Sequence, residues 1–384
     1  MMNKDSLKPA EIKYPPDEKH KTANRQFQGI PGLAVTPGGR LFATWYSGGV
    51  NEGPDNFVVL VQSNDRGSAW SEPVAVIDPP VRNIRAFDPA LWLDPQGKLW
   101  WFWAQSFSPA DGTISDDANG VCGIFTANPD AEILKWSNPV RIADGIMMNK
   151  PSVLADGTWA MLVAIWGDGI GGGKIPDRLA AQCGANMVVS TDNGQTFSYR
   201  GGVAVPHRCF DEHIIVELKD GKLWMLVRTF YGTSQSFSMD QGKTWSPGEN
   251  SGLGGPNSRL FIRRLSSGNL LLVNHADISP DAAVKLFIDG KSWRNRSRLT
   301  AFISDDDGKT WKGGLLLDER DNVSYPDGME DKEGVIRIIY DYERYKEGAI
   351  YMASFREEDI LAGKCATPQA QLKVLINKTG GVRT

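Results

Sequence analysis

Cysteine and histidine are scarce in this chain, which has only 4 of each among its 384 residues. The cysteines lie far apart and form no CxxC pair, so neither a disulfide framework nor a cysteine-based metal site is expected. The segment 207–213 combines two histidines, a cysteine and an aspartate, but its spacing matches no zinc-ligand pattern. We therefore expect buried free thiols, no bound metal and no cofactor, and any chemistry must come from carboxylates, tyrosine and arginine.

Long apolar runs and surplus charge of one sign are missing as well. The longest apolar runs, at 57–61 and 99–103, are too short to cross a bilayer, so no membrane partner is expected. Lys and Arg number 42 against 46 Asp and Glu, with no basic stripe, which argues against a nucleic-acid partner.

The first 22 residues are polar and contain no apolar segment of the signal-peptide type. We expect residues 1–22 to form a polar N-terminal arm and residues 23–384 to form one domain. The default expectation for location is the cytoplasm, or the periplasm or exterior if a signal has been removed.

Tryptophan and glycine, by contrast, are abundant, with 13 Trp and 41 Gly. Four segments share the pattern S-x-D-x-G-x-[TA]-[WF], at residues 63–70, 190–197, 238–245 and 304–311. In a hairpin turn the Asp carboxylate can accept backbone N–H bonds and Gly supplies a positive φ, while the aromatic residue packs beneath the turn. Four copies cannot share one active site, so we interpret these aspartates as turn-stabilising and not catalytic.

The spacing of the octamers predicts how many units the chain contains. Their starts differ by 127, 48 and 66 residues, so a degenerate copy is expected near residue 126 and a last one near residue 353. Short apolar strands recur after glycine turns, for example at 98–103, 159–165 and 222–228, and no long helical period interrupts them. These features predict an all-β fold, a six-bladed β-propeller of about 64 residues per blade, with a short helix at 357–362.

The octamer, its number and its spacing resemble the Asp-box (BNR) repeat of the sialidase (neuraminidase) superfamily, over residues 25–364. The resemblance implies an active site on the propeller axis, at the face opposite the Asp boxes. It also implies an exo-glycosidase that releases a terminal acidic sugar, either sialic acid or a related ulosonic or uronic acid. The partner would then be an acidic glycan, and the oligomeric state stays open.

Members of that superfamily use a Tyr nucleophile, a Glu partner, an acidic acid/base residue and three Arg on the substrate carboxylate. The chemistry is understandable, because a 2-keto sugar acid carries its carboxylate on the anomeric carbon. That carboxylate would repel a carboxylate nucleophile but not a neutral Tyr, whose proton passes to Glu as it attacks. A second acid protonates the leaving oxygen, and Arg forks bind the carboxylate in bidentate fashion.

The resemblance assigns the nucleophile and its partner to two separate segments. Residues 212–221 resemble the motif E-x-x-V-V-E-L-x-D-G, which makes Glu212 the partner, and the same hairpin ends at Arg228, the second Arg. The nucleophile is Tyr325, nine residues before the turn residue Gly334. The usual Tyr-Ser order is replaced here by Ser-Tyr-Pro.

The remaining binding arginines are less regular. Arg296 matches the third Arg, with Arg294 and Arg298 as neighbouring alternatives. The first Arg, expected in an Arg-Ile-Pro motif, is replaced by Gly29, and Arg25 or Arg85 could substitute for it.

The acid/base residue is expected in the loop before the first Asp box. Glu52 lies eleven residues before Ser63, and a small gap in the alignment would select Asp55 instead. His213 and His275 are expected to line the sugar pocket.

Two other functions stay open at the level of sequence. A propeller polysaccharide lyase would use Tyr325 or His213 as a base on a uronate. A non-catalytic carbohydrate-binding propeller would explain the loss of Arg at Gly29.

Overall fold

The computed structural model describes residues 4–108, 119–167 and 175–381. Within these ranges the chain forms 26 β-strands, two α-helices and a few short 3-10 turns. The strands make six antiparallel sheets, each built from consecutive stretches of the chain, and the sheets are arranged as a six-bladed β-propeller. This confirms the predicted fold.

The first strand of each sheet after the N-terminal segment lies at the axis, and later strands lie progressively outward. Blade 1 contains β1 (Ile12–Lys13), β2 (Gln28–Val35), β3 (Leu41–Ser47), β4 (Phe57–Ser63) and β5 (Ala75–Ile77). Blade 2 contains β6 (Ile84–Leu93), β7 (Leu99–Phe107), β8 (Asn119–Thr126) and β9 (Val140–Asp144). Blade 3 contains β10 (Ile146–Met147), β11 (Ser152–Val153), β12 (Trp159–Ile165), β13 (Gly184–Ser190) and β14 (Ser198–Val203).

Blades 4 to 6 each have four strands, and both helices lie in this half of the chain. Blade 4 contains β15 (Ile214–Glu217), β16 (Leu223–Thr229), β17 (Gly232–Ser238) and β18 (Glu249–Asn250). Blade 5 contains β19 (Phe261–Arg264), β20 (Leu270–His275), α1 (Pro280–Ile288), β21 (Leu299–Ser304) and β22 (Lys312–Asp318). Blade 6 contains β23 (Val323–Glu330), β24 (Ile336–Tyr342), β25 (Ala349–Phe355), α2 (Glu357–Ala362) and β26 (Gln371–Lys378). The helix expected at 357–362 is confirmed as α2. No helix within the described ranges is long and apolar enough to cross a membrane.

The ring closes without a strand shared between its first and last blades, because each sheet uses consecutive strands. Two buried carboxylates of blade 6 join it to blade 1. Asp341 Oδ2 accepts the backbone N–H of Ile30 at 3.0 Å, and Asp327 Oδ2 accepts that of Leu33 at 2.9 Å. These hydrogen bonds satisfy amides of an inner strand that would otherwise be buried without a partner.

The N-terminal segment lies against the propeller. β1 pairs with β5 at the outer edge of blade 1, and the buried ring of His20 packs edge-on against Phe57 at 4.7 Å. The C-terminal residues meet the same segment, since Gly380 N donates to Thr22 O at 3.0 Å. The C-terminal residues and the segment around Thr22 thus meet near the junction of blades 1 and 6, whereas Ser6 and Ala10 bind Gln105 of blade 2.

The four Asp boxes are the turns between the third and fourth strands of blades 1, 3, 4 and 5, as predicted. In the third box, Ser238 Oγ donates to Asp240 Oδ1 at 2.9 Å, and Thr244 N donates to the same oxygen at 2.9 Å. Gly242 has φ +86°, and an added Cβ would lie 2.4 Å from Met187 Sδ of the preceding blade. The octamer therefore closes its own hairpin and fits against the neighbouring blade.

In blades 2 and 6, where the octamer is degenerate, other contacts take the place of the Asp-box turn. Near residue 126, Thr126 bridges Trp136, while Asp130 reaches blade 1 and accepts bonds from Thr36 Oγ1 and Gly38 N. After β25 the turn is replaced by α2, whose Asp359 accepts the N–H of Arg356 at 2.8 Å.

We expect Asp240→Asn to lower thermal stability without changing activity. Hydrogen bonds, first from the backbone N–H and hydroxyl of Thr244, lower the pKa of Asp240 from 3.8 to about 2. A carboxyl whose pKa is lowered in the folded state stabilises it above pH 3.8, and this stabilisation is lost as pH falls through about 2. The difference in melting temperature between wild type and Asp240→Asn should thus be largest at pH 7 and should decrease towards pH 2.

Lys243→Gln is the matched control, because it changes an exposed charge in the same turn whose side chain takes no part in these bonds. Equal melting temperatures for Asp240→Asn and wild type at pH 7 would contradict the turn-stabilising role.

Candidate active site

The topology brings chosen segments to one end of the axis. In each blade the first and third strands run in the same direction, and the Asp box, where present, follows the end of the third strand. The start of the first strand and the loop between the second and third strands therefore lie at the opposite face of the propeller. The start of β23 carries Tyr325, and the corresponding loops of blades 1, 5 and 6 carry Glu52, Arg296 and Arg344. The site is therefore assembled at the face predicted from the resemblance.

A buried hydrogen-bonded triangle joins Tyr325, Glu212 and Arg228. Arg228 Nη1 donates to Glu212 Oε1 at 2.5 Å and to the Tyr325 hydroxyl oxygen at 2.9 Å, and that hydroxyl donates to Glu212 Oε1 at 3.1 Å. All three residues are at most 5% exposed. The arrangement places a carboxylate where it can take the phenolic proton, and a fixed cation beside both oxygens.

A strained backbone presents the Tyr325 side chain. Its φ is +55°, in the left-handed region, it precedes Pro326, and the register of β23 on β24 shifts at this point. The same device recurs in two other inner strands, where Ile30 (φ +54°) and Asp88 (φ +46°) also precede prolines at register shifts. Three bulged inner strands thus turn one residue each towards the axis.

Guanidinium groups surround the Tyr325 ring. The Cζ atom of Arg344 lies 4.6 Å from the ring centroid, and those of Arg296 and Arg259 lie 5.3 Å from it. Asn257 links two of the predicted arginines, since its Oδ1 accepts Arg228 Nε at 2.6 Å and its backbone oxygen accepts Arg296 Nη2 at 2.9 Å. The result is a concentration of positive charge around a neutral phenol.

Arg344 is the residue that sequence reasoning missed. It comes from the loop between β24 and β25, and its stem fills the space over Gly29, where an added Cβ would lie 2.8 Å from Arg344 Cδ. The space beside position 29 is thus filled by an arginine from the neighbouring blade. The sequence shows only an Arg-Tyr pair, Arg344 and Tyr345, after β24. This pair points to the site only when blades 1 and 6 are known to be in contact.

Of the two acid/base candidates, only Glu52 faces the site. Its Oε1 accepts the Tyr345 hydroxyl at 2.8 Å and lies 3.7 Å from Arg344 Nη2. The Glu52 side chain is partly exposed; desolvation opposes its ionisation, but Arg344, the bond from Tyr345 and Arg85 outweigh this and hold the pKa of Glu52 below 4.5. Asp55 is exposed and lines neither cavity of the site.

Two cavities meet at Tyr325. The outer cavity has a volume of about 510 Å³ and the inner one about 50 Å³. Both are lined by Glu52, Phe210 and Tyr325. Half-exposed aromatic rings, Trp293 and Tyr345, stand at the mouth of the outer cavity. A cavity of similar size, about 550 Å³, opens elsewhere and contains none of the predicted residues, so chemistry and not volume identifies the site.

Asp88 is a second residue that the sequence analysis did not select. It is fully buried, lines the inner cavity, and has no basic side chain within 4 Å among the described residues. Burial, reinforced by the charge of Glu52, raises the pKa of Asp88 from 3.8 to about 8. At neutral pH this carboxyl is therefore mostly protonated and can donate a hydrogen bond into the cavity.

Arg85 and Arg25 were both considered as substitutes for the missing first Arg. Arg85 lines the inner cavity, with Nη1 3.2 Å from Asn56 Oδ1 and its guanidinium 3.9 Å from the Phe87 ring centroid. Arg25 does not reach the site. It is buried between blades 1 and 6, where it donates to Gln28, Asn377 and Thr22, so its role is structural.

The two histidines do not line the pocket, contrary to expectation. His213 is buried, and its Nδ1 and Nε2 lie 2.8 Å from the backbone oxygens of Asp211 and Asn186. His275 Nδ1 lies 2.8 Å from Ser297 O, beside Arg296 in sequence, and burial lowers the pKa of His275 to about 4. Both support loops of the site from behind.

No group of three or more His, Cys, Asp or Glu side chains that could hold a metal is found in the described part of the chain. The described site is composed of carboxyl groups, guanidinium groups and a phenol.

Comparison with known proteins points to the same fold. Residues 39–338 match the family model described as a BNR repeat-like domain. Two curated sialidases are similar: one from Micromonospora viridifaciens is 29% identical over 338 residues (81% of this chain, 49% of the relative), and one from Bacteroides fragilis is 25% identical over 340 residues (81% and 59%). The chain thus spans about half the length of these relatives.

Among solved structures, the Hadza microbial sialidase Hz136 superposes with a TM-score of 0.66 at 19% identity, covering 87% of this chain and 66% of that one. The intramolecular trans-sialidase from Ruminococcus gnavus gives a TM-score of 0.63 at 14% identity, covering 91% and 98%. These likenesses show a shared fold. The family match over residues 39–338 shows that this chain belongs to the BNR-repeat family of the sialidase superfamily.

Proposed function

We propose that this protein is an exo-acting glycoside hydrolase that removes a terminal sugar acid, sialic acid or a related ulosonic or uronic acid, from a glycan. The observation that carries the proposal is the hydrogen-bonded triangle of Tyr325, Glu212 and Arg228 inside a ring of guanidinium groups. A neutral nucleophile within positive charge suits a substrate whose carboxylate adjoins its reacting carbon.

In the first step Tyr325 attacks the anomeric carbon as its proton passes to Glu212. The glycosidic C–O bond breaks, and the leaving oxygen takes a proton from the acid/base residue, which we assign to Glu52. Because the pKa of Glu52 is lowered in the free site, Glu52 takes a proton from solvent when the bound substrate shields it from Arg344, and it returns that proton to solvent when the product leaves.

In the second step water attacks the anomeric carbon and gives its proton to Glu52. The bond to Tyr325 breaks, and the phenol recovers its proton from Glu212. Every group ends in its starting state, and the two displacements retain the configuration at the anomeric carbon.

We assign carboxylate binding to Arg228, Arg296 and Arg344. Arg228 and Arg296 are held by the two oxygens of Asn257, and Arg344 is held near Glu52 and Asp341, with N–O distances of 3.7 Å to each. Planar guanidinium groups bind a carboxylate bidentately, so pre-ordered side chains bind it at low cost in side-chain entropy.

The hydrolase is favoured over the lyase by the placement of His213. A lyase base must have a free nitrogen facing the substrate, whereas both ring nitrogens of His213 contact backbone oxygens. Tyr325 alone would have to serve as base.

We expect Tyr325→Phe to lose at least about 1000-fold in kcat on aryl α-ketosides, because the nucleophile is absent. The measurement is steady-state release of the aryl group from a panel of aryl α-ketosides and uronides. Tyr340→Phe is the matched control, since it removes the hydroxyl of another buried Tyr, which donates to Asp318 at 3.0 Å away from the site.

Equal turnover by wild type and Tyr325→Phe would remove the assigned nucleophile. An unsaturated product absorbing in the ultraviolet, formed from a uronate polymer, would favour the lyase instead.

We expect Arg344→Gly to raise KM by about 10- to 100-fold, because it removes a charge-assisted contact worth about 1.5–3 kcal/mol. The double variant Gly29→Arg with Arg344→Gly should recover part of this loss, since it clears the Arg344 stem from this space; Asp341 Oδ2, 3.0 Å from the added Cβ, must then shift slightly. The measurement is KM for the best ketoside of the panel.

Arg294→Met, on the exposed part of the Arg296 loop, is the control for lost charge and should leave KM nearly unchanged. An unaltered KM in Arg344→Gly would contradict the assignment of Arg344 to the substrate carboxylate.

We expect kcat/KM of the wild type to fall as pH rises through about 8. Above that pH the carboxyl of Asp88 ionises and adds negative charge beside an anionic substrate. Asp88→Asn cannot ionise, so its kcat/KM should keep the neutral-pH level up to higher pH. The measurement is kcat/KM of both proteins as a function of pH. An identical decline at alkaline pH in both would show that another group causes the decline.

A further inference from the structure

Arg259 crosses the propeller axis directly behind Tyr325. The residue is 1% exposed, and its Nη1 donates to Met148 O at 2.5 Å. Its Nη2 lies 3.1 Å from Tyr325 O and 3.3 Å from Pro326 O, and its Cζ is 5.3 Å from the Tyr325 ring centroid. One side chain therefore touches both the backbone and the ring of this residue.

The Arg259 cation is held by backbone oxygens alone. No carboxylate within the described ranges comes within 4 Å of its guanidinium nitrogens, and its Nε has no hydrogen-bond partner there. A buried cation without a counter-charge is costly, and an apolar side chain of similar volume is often the more stable choice. Stability of the fold alone does not account for an Arg at this position.

The backbone at Tyr325 needs external support. A non-glycine residue at φ +55° before a proline is strained, and such a conformation persists only where the surroundings impose it. The guanidinium plane of Arg259 binds two successive carbonyls, those of Tyr325 and Pro326, and so fixes the peptide that follows the strained residue.

We propose that Arg259 is a positioning residue for Tyr325. It holds the strained backbone that aims the phenol, and it keeps a positive charge behind the ring on which negative charge develops during attack. The mechanistic part of this proposal rests on the proposed function, whereas the positional part concerns only the side chain of Tyr325.

Lys150 provides an internal comparison. It is another buried axial cation, and its Nζ donates to Leu33 O and Gly328 O, each at 2.8 Å, and lies 3.0 Å from Asp327 Oδ2. It therefore ties together β2 and β23, the same inner strands that Arg259 contacts at Pro31 and Tyr325. None of its hydrogen bonds reaches Tyr325. A substitution of Lys150 therefore tests the loss of a contact between the inner strands without the loss of a contact to Tyr325.

The test compares Arg259→Met, Arg259→Lys and Lys150→Met in three measurements. These are the melting temperature, kcat and KM, and the ¹⁹F spectrum of protein labelled with 3-fluorotyrosine at its 9 Tyr residues. The Tyr325 resonance is the one absent from labelled Tyr325→Phe. Kinetics are measured on unlabelled protein.

We expect Arg259→Met to lower kcat by about 100-fold with little change in KM, because a small misplacement of a reacting group costs about that much. Its Tyr325 resonance should shift and broaden, and Arg259→Lys should recover part of both effects. Lys150→Met should lower the melting temperature but leave kcat and the Tyr325 resonance near their wild-type values.

The proposal is overturned if Arg259→Met keeps the wild-type kcat and Tyr325 resonance, or if Lys150→Met changes both to the same extent. If Arg259→Met does not fold, Arg259→Lys decides by the same criteria. If the wild type hydrolyses no acidic glycoside, the proposed function fails, and the ¹⁹F comparison still decides whether Arg259 positions Tyr325.

Discussion

The junction between the last and first blades is the contact on which the rest of the site depends. Asp341 and Asp327 accept backbone N–H groups of Ile30 and Leu33, and these bonds close a ring that has no shared strand. Tyr325 and Arg344 lie on one side of the junction, and Glu52 lies on the other. Without it Tyr325 and Glu52, the proposed nucleophile and the proposed acid/base residue, would not lie in one site.

The buried arginines of the site differ in the partners that compensate their positive charge. Arg228 has a carboxylate partner at 2.5 Å, Arg296 binds a backbone oxygen, and Arg259 binds only backbone oxygens. Because such charges are costly without partners, a ligand that brings negative charge into the outer cavity would be strongly attracted. Rigid hydrogen bonds hold the arginines in advance, so little reorganisation is needed when that charge arrives.

The parts of the structure that the sequence predicted are those whose interactions are local in the chain. Each Asp box completes its bonds within eight residues, so its turn, and from the spacing the six blades, could be inferred. Glu212 and Arg228 share one hairpin, and their contact follows from strand pairing. The pattern thus predicted the fold and the Glu212–Arg228 pair, whereas Tyr325, whose contact with Glu212 is not local, was assigned from the family resemblance.

The residues that were missed depend on contacts between blades. Arg344 matters because Gly29, more than 300 residues away, leaves room for its stem. Asp88 faces the axis because of a bulge that the sequence marks only by the following proline. His213 and His275 are buried behind the site, where they bind backbone oxygens, and Arg25 is buried between blades 1 and 6. The spacing of residues in the sequence does not predict either placement.

The assignment of Tyr325 as nucleophile is tested most directly by mass spectrometry of wild-type protein quenched rapidly during turnover of an aryl α-ketoside. We expect a covalent sugar adduct on the peptide that contains Tyr325, with its site of attachment at that residue. Turnover with an adduct on another residue, or with no adduct at any quench time, would contradict it.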